Sequence, residues 1–537
     1  MRMTGAEAAV AALEAQGICT IFGIPGGHSV PLYDALARHR RIRHVLGRHE
    51  QGLAFMADGY SRASGEIGVV TTTSGPGVAN LAGALGGATT DTSAVLVISS
   101  AVRSDFIGRN RGVLHDLNQT LDLMRAVCGP VCRCSAVEQI PGAIRDLVFE
   151  LRCRRPRAAY CEIPADILRA EGDVEVPPAV RRERVQPDPQ ATRRAVRLLT
   201  EARRPVIWTG TGAVWSDAAE DVDALARALG AIVVMSSLGR GLLPADHPHV
   251  VLREGLCANA VDDLIGQADV VLAVGTMFKG EDTNNWTLKP GEKLIHIDID
   301  PEEIGRSYPA EVGIVADARA ALAAIRRGLP KRQPADPAWV RKGKEAQDAF
   351  LERRRRQGPT EMRAVDILRS RVPRDAILVF DRCNLGYWAW VAMPTYAPRT
   401  FHYPMGYGGL GGALPQAIGA KLACLDRTVL CVIGDGGFQF TATELAVAVQ
   451  EKTPFTIVLC NNGKYGAIEA NMRKNYGHAD LGCELMNPDF LKFASAYGVP
   501  AVRVDTLDGF AAALERGLKA DDLNLIELTV DLCDPPW

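Results

Sequence analysis

Two short motifs in the last third of the chain bring together residue types that can hold a phosphate and a hard metal ion. Gly434-Asp435-Gly436-Gly437 follows the apolar run Val429–Ile433, and Asn461-Asn462-Gly463 follows a second run, Phe455–Leu459. Asp435 offers a carboxylate and Asn462 an amide oxygen, the hard ligands magnesium takes while keeping phosphate and water in its shell. Glycines at 434, 436 and 437 let backbone N–H groups approach a phosphate, and a helix starting there turns its positive end toward it. Between the motifs, Thr441-Ala442-Thr443-Glu444 has the form of a capping box, and Leu445, Ala448 and Val449 make an apolar stripe. The unit reads strand, helix, strand. A right-handed crossover puts the two strand ends side by side at the carboxyl edge of a parallel sheet, where ligands bind.

Two further segments carry candidate chemistry. Glu50, in Arg48-His49-Glu50-Gln51-Gly52, opens a helical pattern with Leu53, Met56, Ala57 and Tyr60 on one face. A carboxylate there is in any case a favourable partner for the helix dipole. Gly406-Tyr407-Gly408-Gly409-Leu410-Gly411 matches GxGxxG, a weak signal alone. A dinucleotide site wants an acidic residue after the next strand, and Asp426 precedes it.

Positioning these residues takes several α/β units. Short apolar runs alternate with helical patterns along the chain, which predicts parallel sheets with helices on both faces. The first block has runs at Cys19–Phe22, Gly68–Thr72, Val95–Ser99 and Ala159–Ile163. The second has Val206–Thr209, Ile232–Met235, Val270–Val274 and Leu294–Ile299. The third has Ile377–Phe380, Val429–Ile433, Phe455–Leu459 and Leu525–Val530. Polar, proline-containing stretches at Glu171–Gln190 and about Pro330–Thr360 read as linkers. The expected division is 1–170, 190–330 and 358–537, three doubly wound α/β domains, in keeping with a length of 537 residues.

Composition narrows the function classes. With 47% hydrophobic and 23% charged residues the profile is that of a globular protein. A net charge of −2 offers nothing to a nucleic acid, and the Arg353–Arg356 run reads as a solvated helix face. No apolar run approaches the ~20 residues a membrane span needs. The amino terminus enters an amphipathic pattern without a secretory apolar core, so the expected location is cytoplasmic. The thirteen cysteines, Cys132 and Cys134 among them, form no zinc spacing and read as small buried hydrophobes in a reducing compartment.

The Gly-Asp-Gly and Asn-Asn motifs resemble those of thiamine-diphosphate-dependent enzymes, and the resemblance runs over nearly the whole chain. Phe22-Gly23-Ile24-Pro25-Gly26-Gly27 and Thr73-Ser74-Gly75-Pro76-Gly77-Val78-Ala79-Asn80 look like the acetolactate synthase branch. Asn462 to Ile468 looks like benzoylformate decarboxylase. Phe22–Tyr33, Arg48–Tyr60 and Leu114-His115-Asp116 look like the 5-guanidino-2-oxopentanoate decarboxylase group.

The resemblance implies that the three blocks are pyrimidine-binding, central and diphosphate-binding domains. It implies thiamine diphosphate and Mg2+ as cofactors, with Asp435, Asn462 and the Lys464 carbonyl on the metal. Gly434, Gly436, Gly437, Tyr465 and Gly466 are carried over as cofactor-binding residues. The Gly408 carbonyl would accept from the 4′-amino group, and Leu410 would wedge between the two cofactor rings. Glu50 would hydrogen-bond N1′ and favour the imino tautomer that removes the C2 proton. The resulting ylide attacks the 2-oxo carbon of a small-molecule 2-oxo acid, carbon dioxide leaves, and protonation of the enamine releases an aldehyde. His28, His115 and Gln119 are expected around the substrate. Glu50 and the metal motif would come from different subunits, implying a homodimer or homotetramer with active sites at the interface.

Departures bear on the reaction. Acetolactate synthases carry a substrate-selecting Trp near the position of Asn471. They have an Arg-Phe-Asp-Asp-Arg stretch associated with FAD where this chain reads Met277-Phe278-Lys279-Gly280-Glu281-Asp282, which counts against FAD. Pyruvate-decarboxylase-type enzymes have paired histidines near the loop where the sequence offers His115. Asp116 and Glu469 add acidic groups near the family's pocket. The expectation is decarboxylation of a larger 2-oxo acid with a polar or basic tail, the alternative being acetolactate-type ligation of two 2-oxo acids.

Overall fold

The computed structural model describes residues 1–253, 260–330, 334–478, 481–532 and 535–536. Three parallel sheets form in chain order, each flanked by helices. The first has the order Arg43–Leu46, Thr20–Gly23, Gly68–Thr72, Val95–Ala101, Ala158–Pro164, Val131–Arg133. The second runs Ile232–Met235, Pro205–Thr209, Val270–Val274, Lys293–Asp298, Val312–Val315. The third runs Phe401–His402, Ile377–Phe380, Val429–Gly434, Thr456–Cys460, Asn524–Leu528, Ala501–Val504. The central strands are buried on both faces, so they read as continuous apolar runs. One small antiparallel pair joins Arg2–Thr4 to Glu171–Asp173, giving a strand at the start of the first expected linker.

The second expected linker is largely helical. Residues Pro337–Gln357 form one long helix, with Asp336 at its N-cap and proline in its first turn. Trp339, Gly343, Phe350 and Arg354 share one buried face, and the indole of Trp339 donates to the Pro205 carbonyl at 2.9 Å. The dense charge that suggested a linker lies on the remaining faces. Arg354 departs from the solvated arginine run, since it is buried and donates to the Pro536 carbonyl.

The first and third sheets share a core. Helix Glu50–Ser64 crosses helix Ala413–Ala423 so closely that a Cβ on Gly59 or Gly419 would overlap the facing backbone of Gln416 or Met56. The Asp58 carboxylate accepts from Gln416 Nε2 at 2.6 Å within this crossing. The crossing therefore anchors the middle of the Glu50 helix to the unit that carries Asp435. Among the described residues no helix is long and apolar enough to cross a membrane.

Candidate active site

Strands Val429–Gly434 and Thr456–Cys460 pair in parallel with Gly434 opposite Cys460, so Asp435 and the two asparagines leave the sheet side by side. A helix begins at once, Asp435–Thr441. Asp435 is 2% exposed, and its Oδ2 accepts from the Gly463 N–H at 2.9 Å and from Asn487 Nδ2 at 2.6 Å. Burial pushes its carboxyl above the usual range, and these hydrogen bonds oppose the shift. Asn487 also donates to Asn461 Oδ1 at 2.9 Å, and Asn461 donates to Glu527 at 2.7 Å. Asn461 is thus held in the scaffold, while Asn462 is exposed.

A cavity of about 370 Å³ opens here, lined by Asp435, Asn462, Lys464, Tyr465, Leu410 and Arg382. Gly408, Gly434, Gly436, Gly437 and Gly466 also face it. The glycines are sterically required: a Cβ on Gly436 would come 2.5 Å from the Tyr465 ring, and one on Gly437 would come 2.9 Å from Asp381 Oδ2. Gly408 and Gly411 adopt left-handed backbone, φ +66° and +83°. Leu410 between them is half-buried and faces the cavity. The Asp381 carboxylate, fully buried and raised by that burial to about 6, accepts from the Gly411 N–H at 2.7 Å and locks this loop.

The oxygens fit a hard cation and a diphosphate. Asp435, Asn462 and Lys464 line the cavity beside four of the glycines, Gly408, Gly434, Gly436 and Gly437, so hard oxygen donors and small residues that let backbone N–H groups approach a phosphate stand together. Among the described residues no cluster of three His, Cys, Asp or Glu side chains could hold a metal.

The expected capping box does not form. Thr441 instead donates its hydroxyl to the Gly411 carbonyl at 2.6 Å. Glu444 is buried and accepts from the backbone N–H of Arg48 at 3.2 Å and of His49 at 2.9 Å. Burial raises its carboxyl to about 7. Val449, expected in the apolar stripe, is exposed. Glu444 therefore braces the entrance to the Glu50 helix, a contact across almost 400 residues that no local pattern could reveal.

Glu50 is the first residue of its helix, half-buried, with Oε2 accepting from Asn80 Nδ2 at 2.9 Å. His28 and His115 come together from separate loops, their rings 5.3 Å apart and edge to face. His28 Nδ1 lies 2.7 Å from Ser74 Oγ, and burial, with His115 nearby, holds its pKa below the ordinary value. His115 Nδ1 is 3.5 Å from Thr73 Oγ1, and its backbone rests on Gly75. A Cβ on the neighbouring Gly77 would come 3.4 Å from Glu50 Oε1, so the 73–77 loop joins the histidines to the glutamate. The single histidine that the sequence offered at this loop is thus half of a pair. Gln119 is exposed at the start of helix Thr120–Val127, and its side chain makes no hydrogen bond among the described residues. The first-sheet cluster and the 370 Å³ cavity are separate within one chain: no described residue before Arg382 lines that cavity.

Sequence reasoning missed the groups that clamp the loop leading to Leu410. Asp91 is buried and accepts from Lys279 Nζ at 2.5 Å, Arg62 at 3.1 Å, and the N–H groups of Met405 and Gly406 at 3.1 and 2.9 Å. Burial alone would raise its carboxyl, but Lys279 and Arg62 outweigh it and hold the pKa at about 2. Arg382 donates to the carbonyls of Pro404 and Met405 and pairs with Glu281 at 2.8 Å. Lys279 and Glu281 thus bring the segment 277–282 into the clamp. Asp381 to Asn384 follow a strand end, the one signal that pointed here. Asp91→Ala takes the carboxylate from buried Lys279 and leaves Arg62 with Asp58 alone, and the expected loss of unfolding free energy is about 3–5 kcal/mol. Urea unfolding at neutral pH measures it, and an unchanged midpoint contradicts the clamp.

Glu469 does not stay free to meet a substrate. It pairs with Lys464 at 2.7 Å and Arg473 at 3.8 Å. Asp116 differs: it is half-buried, and its Oδ2 is enclosed with no hydrogen-bond partner. Asn471 is exposed on the helix Gly466–Tyr476.

Comparison with known proteins covers all three units. Residues 3–124 match the thiamine pyrophosphate enzyme N-terminal TPP binding domain, 192–325 the central domain and 381–528 the C-terminal TPP binding domain. A probable 2-ketoarginine decarboxylase of Pseudomonas aeruginosa is 37% identical over 98% of this chain and 94% of its own length. A probable acetolactate synthase large subunit of Methanocaldococcus jannaschii is 32% identical over 98% of this chain and 92% of its own. The acetolactate synthase isozyme 2 large subunit of Escherichia coli is 31% identical over 100% of this chain and 97% of its own.

Proposed function

The chain belongs to the thiamine pyrophosphate enzyme family, and from that premise we propose that it removes carbon dioxide from a 2-oxo acid bearing a basic tail. It is an enzyme of the decarboxylase and acetolactate synthase kind. The observation that carries the reading is the cavity where Asp435 and Asn462 emerge from paired strands beside Leu410.

When bound, the thiazolium of thiamine diphosphate supplies a carbon nucleophile for the 2-oxo carbon and an electron sink for the departing carboxyl group. The chain binds, orients and moves protons. Asp435, Asn462 and the Lys464 carbonyl would hold Mg2+, which would neutralise diphosphate charge. Leu410 and the Gly408 carbonyl would hold the cofactor's rings at the cavity wall. Glu50 holds a proton at the aminopyrimidine ring nitrogen. His28, whose pKa burial lowers, and His115 would orient the substrate carboxylate and move a proton at the reacting carbon. Since the Glu50 cluster and the cavity are separate in one chain, two copies complete each site, Glu50 of one facing Asp435 of the other.

For the substrate tail, Asp116 supplies the argument. An enclosed carboxylate oxygen without a donor is costly, and a guanidinium meets that need. Steady-state kinetics on 5-guanidino-2-oxopentanoate, a branched 2-oxo acid and pyruvate tests this. The guanidino acid is expected to lead pyruvate by at least about tenfold in kcat/KM, or ~1.4 kcal/mol. Pyruvate leading, with acetolactate accumulating, favours the synthase reading supported by the relatives of that name.

A further inference from the structure

Three cysteines outside the proposed chemistry meet on one face of the first sheet. Cys132 lies on the edge strand Val131–Arg133 in register with Cys161 on Ala158–Pro164. Cys134, two residues on, continues the same face. Cys134 Sγ and Cys161 Sγ are 3.7 Å apart. Both residues are buried, 1% and 0% exposed, whereas Cys132 is half-buried and reaches solvent. All three are free thiols. Cys132 and Cys161 face each other across paired strands ~4.8 Å apart, within the span of about 4.4–6.8 Å between Cα atoms that a disulfide bridges, while Cys134, offset by two residues, reaches Cys161 through the sulfur contact itself.

Access and geometry divide the roles. Cys132 alone can meet a dissolved reagent, and hydrogen bonds from Cys134 and Cys161 hold its thiol well below the ordinary value. The Cys134 and Cys161 thiols, which give those bonds, are pushed up. The thiolate is the attacking form.

We propose that Cys132, Cys134 and Cys161 form a thiol–disulfide exchange site for small-molecule disulfides of the glutathione class, entered at Cys132 and closed as a Cys134–Cys161 disulfide. The Cys132 thiolate attacks one sulfur of the reagent, forming a mixed disulfide and releasing one small thiolate. Cys161 attacks the Cys132 sulfur and expels the second small thiolate, which takes up the Cys161 proton as it leaves. Cys134 attacks Cys161 and expels the Cys132 sulfur, which takes up the Cys134 proton and passes it to solvent, returning as a thiolate. The two small thiolates take up the two protons, so one reagent disulfide is reduced while two protein thiols are oxidised. The closed bond ties the end of the edge strand to its neighbour in a buried place.

The test treats the holoenzyme with oxidised glutathione, alkylates remaining thiols and maps peptides without reduction. Cleavage after Arg133 separates Cys132 from Cys134. Wild type is expected to show Cys134 linked to Cys161 with Cys132 alkylated. Cys132→Ser, at a half-exposed position that leaves the core intact, should slow the linkage by about tenfold or more, since the attacking thiol controls the rate. Cys134→Ser should leave a Cys132–Cys161 link. A lasting glutathione adduct on wild-type Cys132, linkage through Cys19 or Cys153 instead, or an unchanged rate in Cys132→Ser overturns the proposal.

Discussion

Glu50→Gln is expected to lower turnover by about 10²–10⁴-fold, the range a positioned proton-transfer group supplies, while thiamine diphosphate still binds. Glutamine keeps the size of the side chain and can still accept from Asn80, which now bonds Glu50 Oε2 at 2.9 Å. The helix start remains braced by Glu444 through the N–H groups of Arg48 and His49. Fold and cofactor affinity should therefore survive, and the loss should fall on kcat. What the amide lacks is a negative charge to hold a proton at the ring nitrogen. Calorimetric titration with the cofactor and single-turnover carbon dioxide release separate the two. Full turnover in the variant removes Glu50 from the chemistry, and lost cofactor binding moves its role to the scaffold.

Asp435→Ala should remove magnesium-dependent cofactor binding. Loss of groups that merely support metal ligands costs about 10–100-fold in affinity, and loss of the ligand carboxylate should exceed that. Asp435 is the only carboxylate proposed on the metal. It also accepts from Asn487 and the Gly463 N–H, so its removal leaves both donors with Asn461 Oδ1 alone. Asp435→Asn distinguishes these effects, because it keeps an oxygen near those donors while removing the charge. Both variants should bind thiamine diphosphate no better with magnesium than without. Calorimetry with unchanged magnesium-dependent affinity in either variant contradicts the metal assignment.

What could be read along the chain follows from burial. The central strands, covered on both faces, stood out as apolar runs within a residue or two of their ends. The strands that did not stand out are mostly sheet edges: Arg43–Leu46, Val131–Arg133, Val312–Val315, Phe401–His402 and Ala501–Val504. Most are partly exposed and all are short, so their composition resembles a loop. Helix Pro337–Gln357 was hidden for a related reason. It buries one narrow face, and its charged majority dominated the pattern.

By itself the sequence determined three α/β units and the pairing of Asp435 with Asn462, because strand, helix and strand with a right-handed crossover leave one arrangement of the two strand ends. It also set the placement of Glu50 at a helix start and the glycine loop around Leu410. Tertiary structure alone decided the contacts between residues far apart in the chain. It joined His28 to His115, set Asn487 on Asp435, and turned Thr441 and Glu444 from a local cap into braces for Gly411 and the Glu50 helix. It also neutralised Glu469, left Asp116 unpaired, and made Asp91 the point where the segments around Arg62, Lys279 and Gly406 meet. Local patterns record propensity and burial. The partner of a buried charge is whichever group the packing brings within about 3 Å, and no spacing in the sequence encodes that distance.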